Sequence, residues 1–137
     1  MDSFGAFTVS ASAMAAQRQR MNVIASNMAN AHSTRTADGG PYRRQDVIFT
    51  TDPITTGQEG VAGVKVTNIV KDESPFRMVF EPGHPDANKD GYVSLPNISI
   101  IEEMVNMMMA SRAYEASVSA FNMSKAMFAK TLDLGNG

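Results

Sequence analysis

Residues 100–134 read IIEEMVNMMMASRAYEASVSAFNMSKAMFAKTLDL, and this stretch, which lacks proline and glycine, decides the fold. Large side chains recur every seven residues in two interleaved series, which predicts one long helix. The first series is Ile100, Met107, Tyr114, Phe121 and Phe128, and the second is Met104, Ser111, Val118, Lys125 and Leu132. Ser99 and Glu102 form a capping box at its start, and Gly135 is a natural stop.

This helix is apolar over more of its circumference than a single partner helix can cover. The stripe is widened by Ile101, Val105, Met108, Met109, Met123 and Met127. A wide apolar stripe on a helix indicates contacts on more than one side. The chain has eleven methionines, whose flexible thioethers suit both ordinary core packing and an adaptable assembly interface. Both interpretations remain open at this point, and we expect the surplus apolar surface to contact other subunits.

A second helix is predicted at the other end of the chain. Phe7, Met14, Met21 and Met28 recur every seven residues, and Ile24 and Ala31 follow three residues behind the last two. This spacing is typical of a helix that packs along a seam. Asn27, Asn30 and the polar run HSTRTADGG predict its end. All six prolines lie between residues 41 and 96, so both ends of the chain are free to be helical.

The predicted lengths decide the architecture. Helices of about 27 and 37 residues are about 40 and 55 Å long, whereas a compact domain of this size is only about 37 Å across. We therefore predict an α+β fold in which the two helices pack as a coiled-coil-like rod domain with a small β-rich insert. The predicted segments are 1–34 for the N-terminal helix, 35–97 for the middle segment and 98–137 for the C-terminal helix.

The middle segment contains two runs in which apolar and polar residues alternate, separated by DESP. The first run contains Val64, Val66 and Val70, and the second contains Phe76, Met78 and Phe80. Alternation on both sides of a turn predicts a β-hairpin between the two runs. YRRQDVIFTTD (42–52) predicts a further strand, and the Thr/Gly-rich segment 50–63 is expected to be a loop.

The stretch DANKDGYV (86–93) resembles the first half of an EF-hand calcium loop, with oxygen-bearing side chains at alternate positions. Asn97 stands where such a loop needs a closing bidentate glutamate. EPGHP precedes the stretch where an entering helix should run, and proline disrupts helices. A polar turn is the preferred interpretation, and a calcium-dependent binding module is an alternative.

Composition excludes several classes of function. The chain has no cysteine, so it has no disulfide and no thiolate zinc site. A net charge of −2 gives no basis for nucleic-acid binding. Two histidines in separate polar loops form no catalytic motif, and adjacent Glu102 and Glu103 are assigned to the positive end of the helix dipole. We expect no enzyme activity, no cofactor, no metal and no small-molecule substrate. The N-terminus lacks the pattern of a cleaved signal peptide.

Two long stretches resemble a known family. SASAMAAQRQRMNVIASNMANAHSTRTADGGPYRRQ (10–45) and GYVSLPNISIIEEMVNMMMASRAYEASVSAFNMSKAMFAKTLDLG (91–135) are similar to the N- and C-terminal signatures of the flagellar basal-body rod protein family. GGPYRR, SPFRMVFEPGHPDA and GYVSLPN within the chain are most similar to the proximal rod type. The residues that carry over from the two signatures are Ala29, Asn30, Thr34, Glu103, Met104, Ser111, Arg112, Tyr114 and Lys125.

The resemblance implies a structural subunit that polymerises through its terminal helices into the proximal rod, which is the axial drive shaft and export channel of the flagellum. It implies a location across the periplasm and delivery by the flagellar type III export apparatus. The implied partners are further copies, other rod subunits, the export apparatus and a basal-body ring component, and the role of Arg43 and Arg44 is left open. A coiled-coil adaptor is a second alternative. The expected assembly interface comprises Phe7, Met14, Met21, Met28, Asn30, Met104, Met107, Arg112, Tyr114, Phe121 and Phe128.

Overall fold

The computed structural model describes residues 3–54 and 60–137 and has a long helix at each end. The elements in chain order are α1 (Ser3–Ala29), β1 (Gln45–Pro53), β2 (Ala62–Lys71), β3 (Arg77–Phe80), β4 (Tyr92–Leu95) and α2 (Ile100–Gly135). Two terminal helices with short strands between them confirm the predicted α+β fold. Neither of the described helices combines the length and hydropathy that a membrane span requires.

The ends of both helices lie where the sequence signals place them. The Ser99 side chain accepts a hydrogen bond from the Glu102 amide at 3.4 Å, which satisfies one of the free amides at the start of α2. α2 ends at Gly135, and the Asn136 amide donates to the Leu132 carbonyl. α1 ends at Ala29, between the two asparagines that predicted its termination.

The two helices pack side by side in antiparallel directions. Near the start of α1, the Phe7 ring lies 5.1 Å from the Phe121 ring and 6.2 Å from the Phe128 ring, measured between centroids. At the other end of α1, Asn27 contacts Glu103 at the start of α2. Among the described residues, the buried apolar ones are few and mostly small: Ala16, Val23, Ile24, Ala31, Val93, Ile98 and Ala110.

The four strands form two separate antiparallel ribbons, β1 with β2 and β3 with β4. The predicted hairpin between residues 64–70 and 76–80 is therefore wrong, although both runs are strands. Segment 72–74 does not turn the chain back, because the carbonyls of Asp72 and Ser74 accept hydrogen bonds from the side chains of Arg43 and Asn97. These contacts hold the segment as a connector between the ribbons.

Other predictions for the middle segment were partly right. A strand was expected within 42–52, and β1 confirms it. The expected loop 50–63 is wrong at both ends, because β1 continues to Pro53 and β2 begins at Ala62. Residues 55–59 of that loop lie outside the described residues. β4 was not predicted, because its four residues are too few to show an alternating pattern.

The longer ribbon lies against α1 at a close approach between Gly63 and Ser12. The Ser12 hydroxyl donates to the Val9 carbonyl at 2.7 Å and accepts from the Val64 amide at 3.1 Å. A Cβ atom on Gly63 would lie 2.6 Å from that hydroxyl oxygen. Glycine at this position is therefore what allows the ribbon to rest on the helix.

We expect Gly63→Ala to lower the free energy of unfolding by about 1–3 kcal/mol, because the added methyl group forces Ser12 out of both hydrogen bonds. Urea denaturation followed by circular dichroism measures the change. Gly40→Ala is the matched control, since a Cβ there meets no atom within 4 Å. Equal stabilities of the two variants would show that the ribbon does not rest on Ser12.

Candidate functional site

A buried polar node joins the two helices to the middle segment. We use this name for Asn27, Tyr42, Arg44, Asn97 and Glu103. Asn27 has an exposed fraction of 0% and Glu103 of 1%, so both side chains need partners inside the protein.

Glu103 forms the charged centre of the node. Its Oε1 atom accepts a hydrogen bond from Arg44 Nε at 2.5 Å, and its Oε2 atom accepts from Asn27 Nδ2 at 3.2 Å. Burial disfavours the charged guanidinium, but the hydrogen bond and charge of Glu103 outweigh it and raise the pKa of Arg44 above its ordinary value. Glu103 does lie in the first turn of α2, as its assignment to the helix dipole requires, and its carboxylate is in addition paired with Arg44 inside the protein. Glu102 is exposed in the first turn of α2.

Asn27 fixes the start of β1 against α1. Its Nδ2 atom donates to the Gln45 carbonyl at 2.8 Å, and its Oδ1 atom accepts from the Gln45 amide at 3.0 Å. The Tyr42 hydroxyl donates to the same oxygen at 3.3 Å. Both the oxygen and the nitrogen of the buried Asn27 amide therefore hydrogen-bond to the backbone of Gln45. These bonds set the position of β1 along α1.

Asn97 and Arg43 hold the connector. Asn97 Oδ1 accepts from the Arg44 amide at 2.8 Å, and Asn97 Nδ2 donates to the Asp72 and Ser74 carbonyls at 3.0 and 3.1 Å. The Arg43 guanidinium lies 4.2 Å from the centre of the Phe76 ring. Arg43 and Arg44, whose roles the sequence left open, thus both make contacts within the chain. Hydrogen bonds from Ser74, followed by the charge of Arg44, lower the pKa of Asp72.

The calcium-like stretch is occupied by internal contacts. The Asp86 carboxylate accepts hydrogen bonds from Thr34, at 2.8 Å, and from Arg35. The Thr34 hydrogen bond is the main cause that lowers the pKa of Asp86. Asn88 Oδ1 accepts from the amides of Asp90 and Tyr92. These contacts form a polar turn, as preferred from the sequence, and they tie it to the segment after α1.

The residues predicted for the assembly interface lie in three kinds of position. Most of them are half-buried, namely Phe7, Met14, Met21, Met28, Met107, Tyr114, Phe121 and Phe128. Phe7 contacts both Phe121 and Phe128 within the chain. Just after α1, Asn30 Nδ2 donates to the Ser26 carbonyl and Asn30 Oδ1 accepts from the Ser33 hydroxyl. Met104 and Arg112 are exposed.

A second feature is an apolar surface on the side of α2 that faces away from α1, which we call the outer face. It comprises Ile101, Met104, Val105, Met108, Met109, Met123 and Met127. Met123 is 65% exposed and Met127 is 66% exposed. The whole chain has 9127 Å² of accessible surface, whereas a compact protein of 14.8 kDa has about 7,000 Å². The chain therefore leaves more surface uncovered than a self-contained domain does.

Comparisons with known proteins agree with the two ends of the chain. Residues 7–35 match a family model described as flagella basal body rod protein, and residues 89–134 match one described as flagellar basal body rod FlgEFG protein C-terminal. The chain is 46% identical to the flagellar basal-body rod protein FlgC of Salmonella typhimurium over 94% of its length and 95% of that protein. This chain belongs to the flagellar basal-body rod protein family.

Two further members of the rod protein family extend the match to nearly the full chain. The FlgC protein of Borreliella burgdorferi is 43% identical over 100% of both chains. That of Bacillus subtilis is 41% identical over 98% of this chain and 99% of that protein. The chain is thus a structural subunit of the flagellar basal-body rod, and the calcium and adaptor alternatives are not favoured.

Within this rod protein, sequence reasoning did not find most of the polar node. Glu103 was noticed as one of a pair of acids and as a residue of the C-terminal signature, and Asn27 only as part of a helix end. Asn27 is a polar residue at a helix position that packing would bury. This is a weak signal, because its partner Gln45 is distant in sequence and lies in another element. The outer face was indicated by the width of the apolar stripe.

Proposed function

We propose that this rod subunit polymerises through the outer face of α2, which packs against helices of neighbouring rod subunits. The supporting observation is that large apolar side chains on this face are about half to three-quarters exposed while α1 occupies the opposite side of the helix. An apolar surface of this extent marks an interaction site. Methionine side chains adapt to neighbours of different shape, which suits a subunit that contacts both its own copies and related rod proteins.

The residues predicted for assembly then have two roles. Met104 and Arg112 belong to the exposed side of α2 and contact neighbours directly. The half-buried residues, including Phe7, Phe121 and Phe128, pack between the two helices. A neighbouring subunit covers the part of these side chains that is exposed in the single chain. We propose that completion of this burial in the assembly stabilises the helix pair further.

We further propose that the assembled chains form the proximal part of a shaft across the periplasm with a central export channel. The chain reaches this place through the flagellar type III export apparatus, and one end of the assembly meets a basal-body ring component. Its role is purely structural, without catalysis, small-molecule substrate or nucleic-acid partner. The similarity of both terminal helices to rod protein families supports this proposal.

The outer face is tested with the double variant Met123→Asp/Met127→Asp. We expect each aspartate to weaken assembly at least about tenfold, because a methionine that becomes buried contributes roughly 1.5–3 kcal/mol. Sedimentation of concentrated protein measures assembly, and thermal unfolding of dilute protein measures stability. The stability should change little, because both side chains are exposed in the single chain.

Two controls separate loss of apolar contact from other effects. Met123→Leu/Met127→Leu keeps the apolar volume and should assemble normally. Thr50→Asp adds a charge at an exposed position of β1, which packs against β2 and α1, and should also assemble. Normal assembly of the aspartate double variant would mean that the outer face is not the interface.

A further inference from the structure

Methionine supplies most of the large side chains that form the outer face. We call Met104, Met108, Met109, Met123 and Met127 the outer-face methionines. In that order they are 53%, 56%, 56%, 65% and 66% exposed in the single chain. All five side chains are therefore open to small reagents in water before the subunit assembles.

The other described methionines lie in different surroundings. Met14, Met21, Met28 and Met107 are half-buried. Met78 on β3 is 51% exposed, and its sulfur accepts a hydrogen bond from the Ser94 hydroxyl at 3.1 Å. Exposure thus separates the outer-face methionines from the half-buried ones, and Met78 is an exposed methionine on another element.

Methionine differs from the other apolar residues of the outer face in its reaction with peroxides. The thioether sulfur takes one oxygen atom from hydrogen peroxide, the O–O bond breaks, and the second oxygen leaves as water. The sulfur is oxidised by two electrons and the peroxide is reduced. The product, methionine sulfoxide, is polar, and burying a polar group without a hydrogen-bond donor is unfavourable. An outer face that carries sulfoxides is therefore a poor apolar contact surface.

We propose that the outer-face methionines are an oxidation-sensitive site, at which hydrogen peroxide converts the subunit into a form that stays folded but does not assemble. The fold is spared because the helix pair is held by other contacts, including those of Phe7 with Phe121 and Phe128. A neighbouring subunit that covers the outer face shields it from peroxide, so the site acts on unassembled subunits. This inference rests on the proposed function, because it requires the outer face to be the assembly contact.

Peroxide treatment of dilute protein, followed by sedimentation of concentrated protein, tests the site. The resistant variant has leucine at all five outer-face methionines, because leucine keeps the apolar volume and has no sulfur. We expect peroxide to weaken assembly of the original chain at least about tenfold and to leave assembly of the resistant variant unchanged. An equal loss in both chains, or no loss in the original chain, would overturn the proposal.

Met78→Leu is the matched control, because it removes an exposed methionine that is not on the outer face. This variant should remain as sensitive to peroxide as the original chain. Peptide mass spectrometry at limiting peroxide should find sulfoxide at the outer-face methionines before Met14, Met21 and Met107. Thermal unfolding of the oxidised dilute protein should be unchanged. A lower Tm that accompanies the loss of assembly would locate the damage in the helix pair and contradict the proposal.

Enzymatic reduction provides a test that needs no variant. Methionine sulfoxide reductases, one for each sulfoxide epimer, restore the thioether. The sulfoxide oxygen leaves as water while two thiols of the added reductant form a disulfide. We expect assembly of the oxidised protein to recover fully after this treatment. Continued failure to assemble, once mass spectrometry shows that the sulfoxides are gone, would mean that the loss has another cause.

The two proposals can fail separately. If the Met123/Met127 aspartates weaken assembly and peroxide does not, the oxidation site is wrong and the outer face stands. If those aspartates assemble normally, the outer-face proposal is wrong, and any effect of peroxide on assembly then arises elsewhere in the chain.

Discussion

Replacing Glu103 by alanine is expected to lower the free energy of unfolding by about 3–5 kcal/mol, the cost of removing one partner of a buried ion pair. The Arg44 side chain, 18% exposed, would lose its closest acid. Asn27 Nδ2 would keep only its hydrogen bond to the Gln45 carbonyl. Urea denaturation at neutral pH measures the loss of stability. Looser packing of the connector should appear as faster hydrogen exchange of its amides.

Glu102→Ala is the matched control, because the two acids are adjacent and only Glu103 is buried. Its cost should stay below about 1 kcal/mol, the contribution of an exposed acid near a helix start. Glu103→Gln should also be destabilising, since one end of its amide would place a donor against Asn27 Nδ2 or Arg44 Nε. If Glu102→Ala costs as much as Glu103→Ala, the helix dipole rather than the polar node explains both.

Phe121→Ala should lower the stability of the isolated chain by about 2–3 kcal/mol, less than the about 3–5 kcal/mol of a fully buried ring because Phe121 is half-buried. The physical reason is the loss of its contact with Phe7, whose ring centroid is 5.1 Å away. Thermal unfolding of dilute protein provides the measurement. Met123→Ala is the control, and as an exposed position it should change stability by less than about 0.5 kcal/mol.

The outcome at Phe121 also decides how folding and assembly are linked. A large loss in the dilute protein means that the helix pair is a folded unit before assembly. No loss there, combined with failed assembly, would mean that α1 and α2 pack only when neighbouring subunits cover them. Hydrogen exchange across residues 4–30 and 98–134 gives an independent measurement of the same question.

The helices were predictable because their signals are local. A seven-residue repeat, a capping serine and a terminal glycine lie within the element that they define, and α2 begins and ends where they indicate. The strand pairing was not predictable in the same way. Alternation in residues 64–70 identifies a strand but not the strand with which it pairs. β2 pairs with β1 and not with β3, because Arg43 and Asn97 hold the connector between β2 and β3.

The same difference applies to the candidate site: its local features were predictable, and its contacts between distant segments were not. The outer face follows from counting apolar residues around one helix, so the sequence contained it. The polar node depends on side chains from four separate segments, and Glu103 looks like any first-turn acid until Arg44 is placed beside it.

The polar node has a consequence for the order in which the chain folds. Its hydrogen bond from Asn27 to Glu103 spans 76 residues, and the bond from the Arg44 amide to Asn97 spans 53. Contacts of such long range form slowly, because the loop between them must close before they contribute any energy. Because synthesis begins at the N-terminus, Asn27 and Arg44 are made well before Glu103. Folding of this subunit is therefore completed late, after more than three-quarters of its chain has been synthesised.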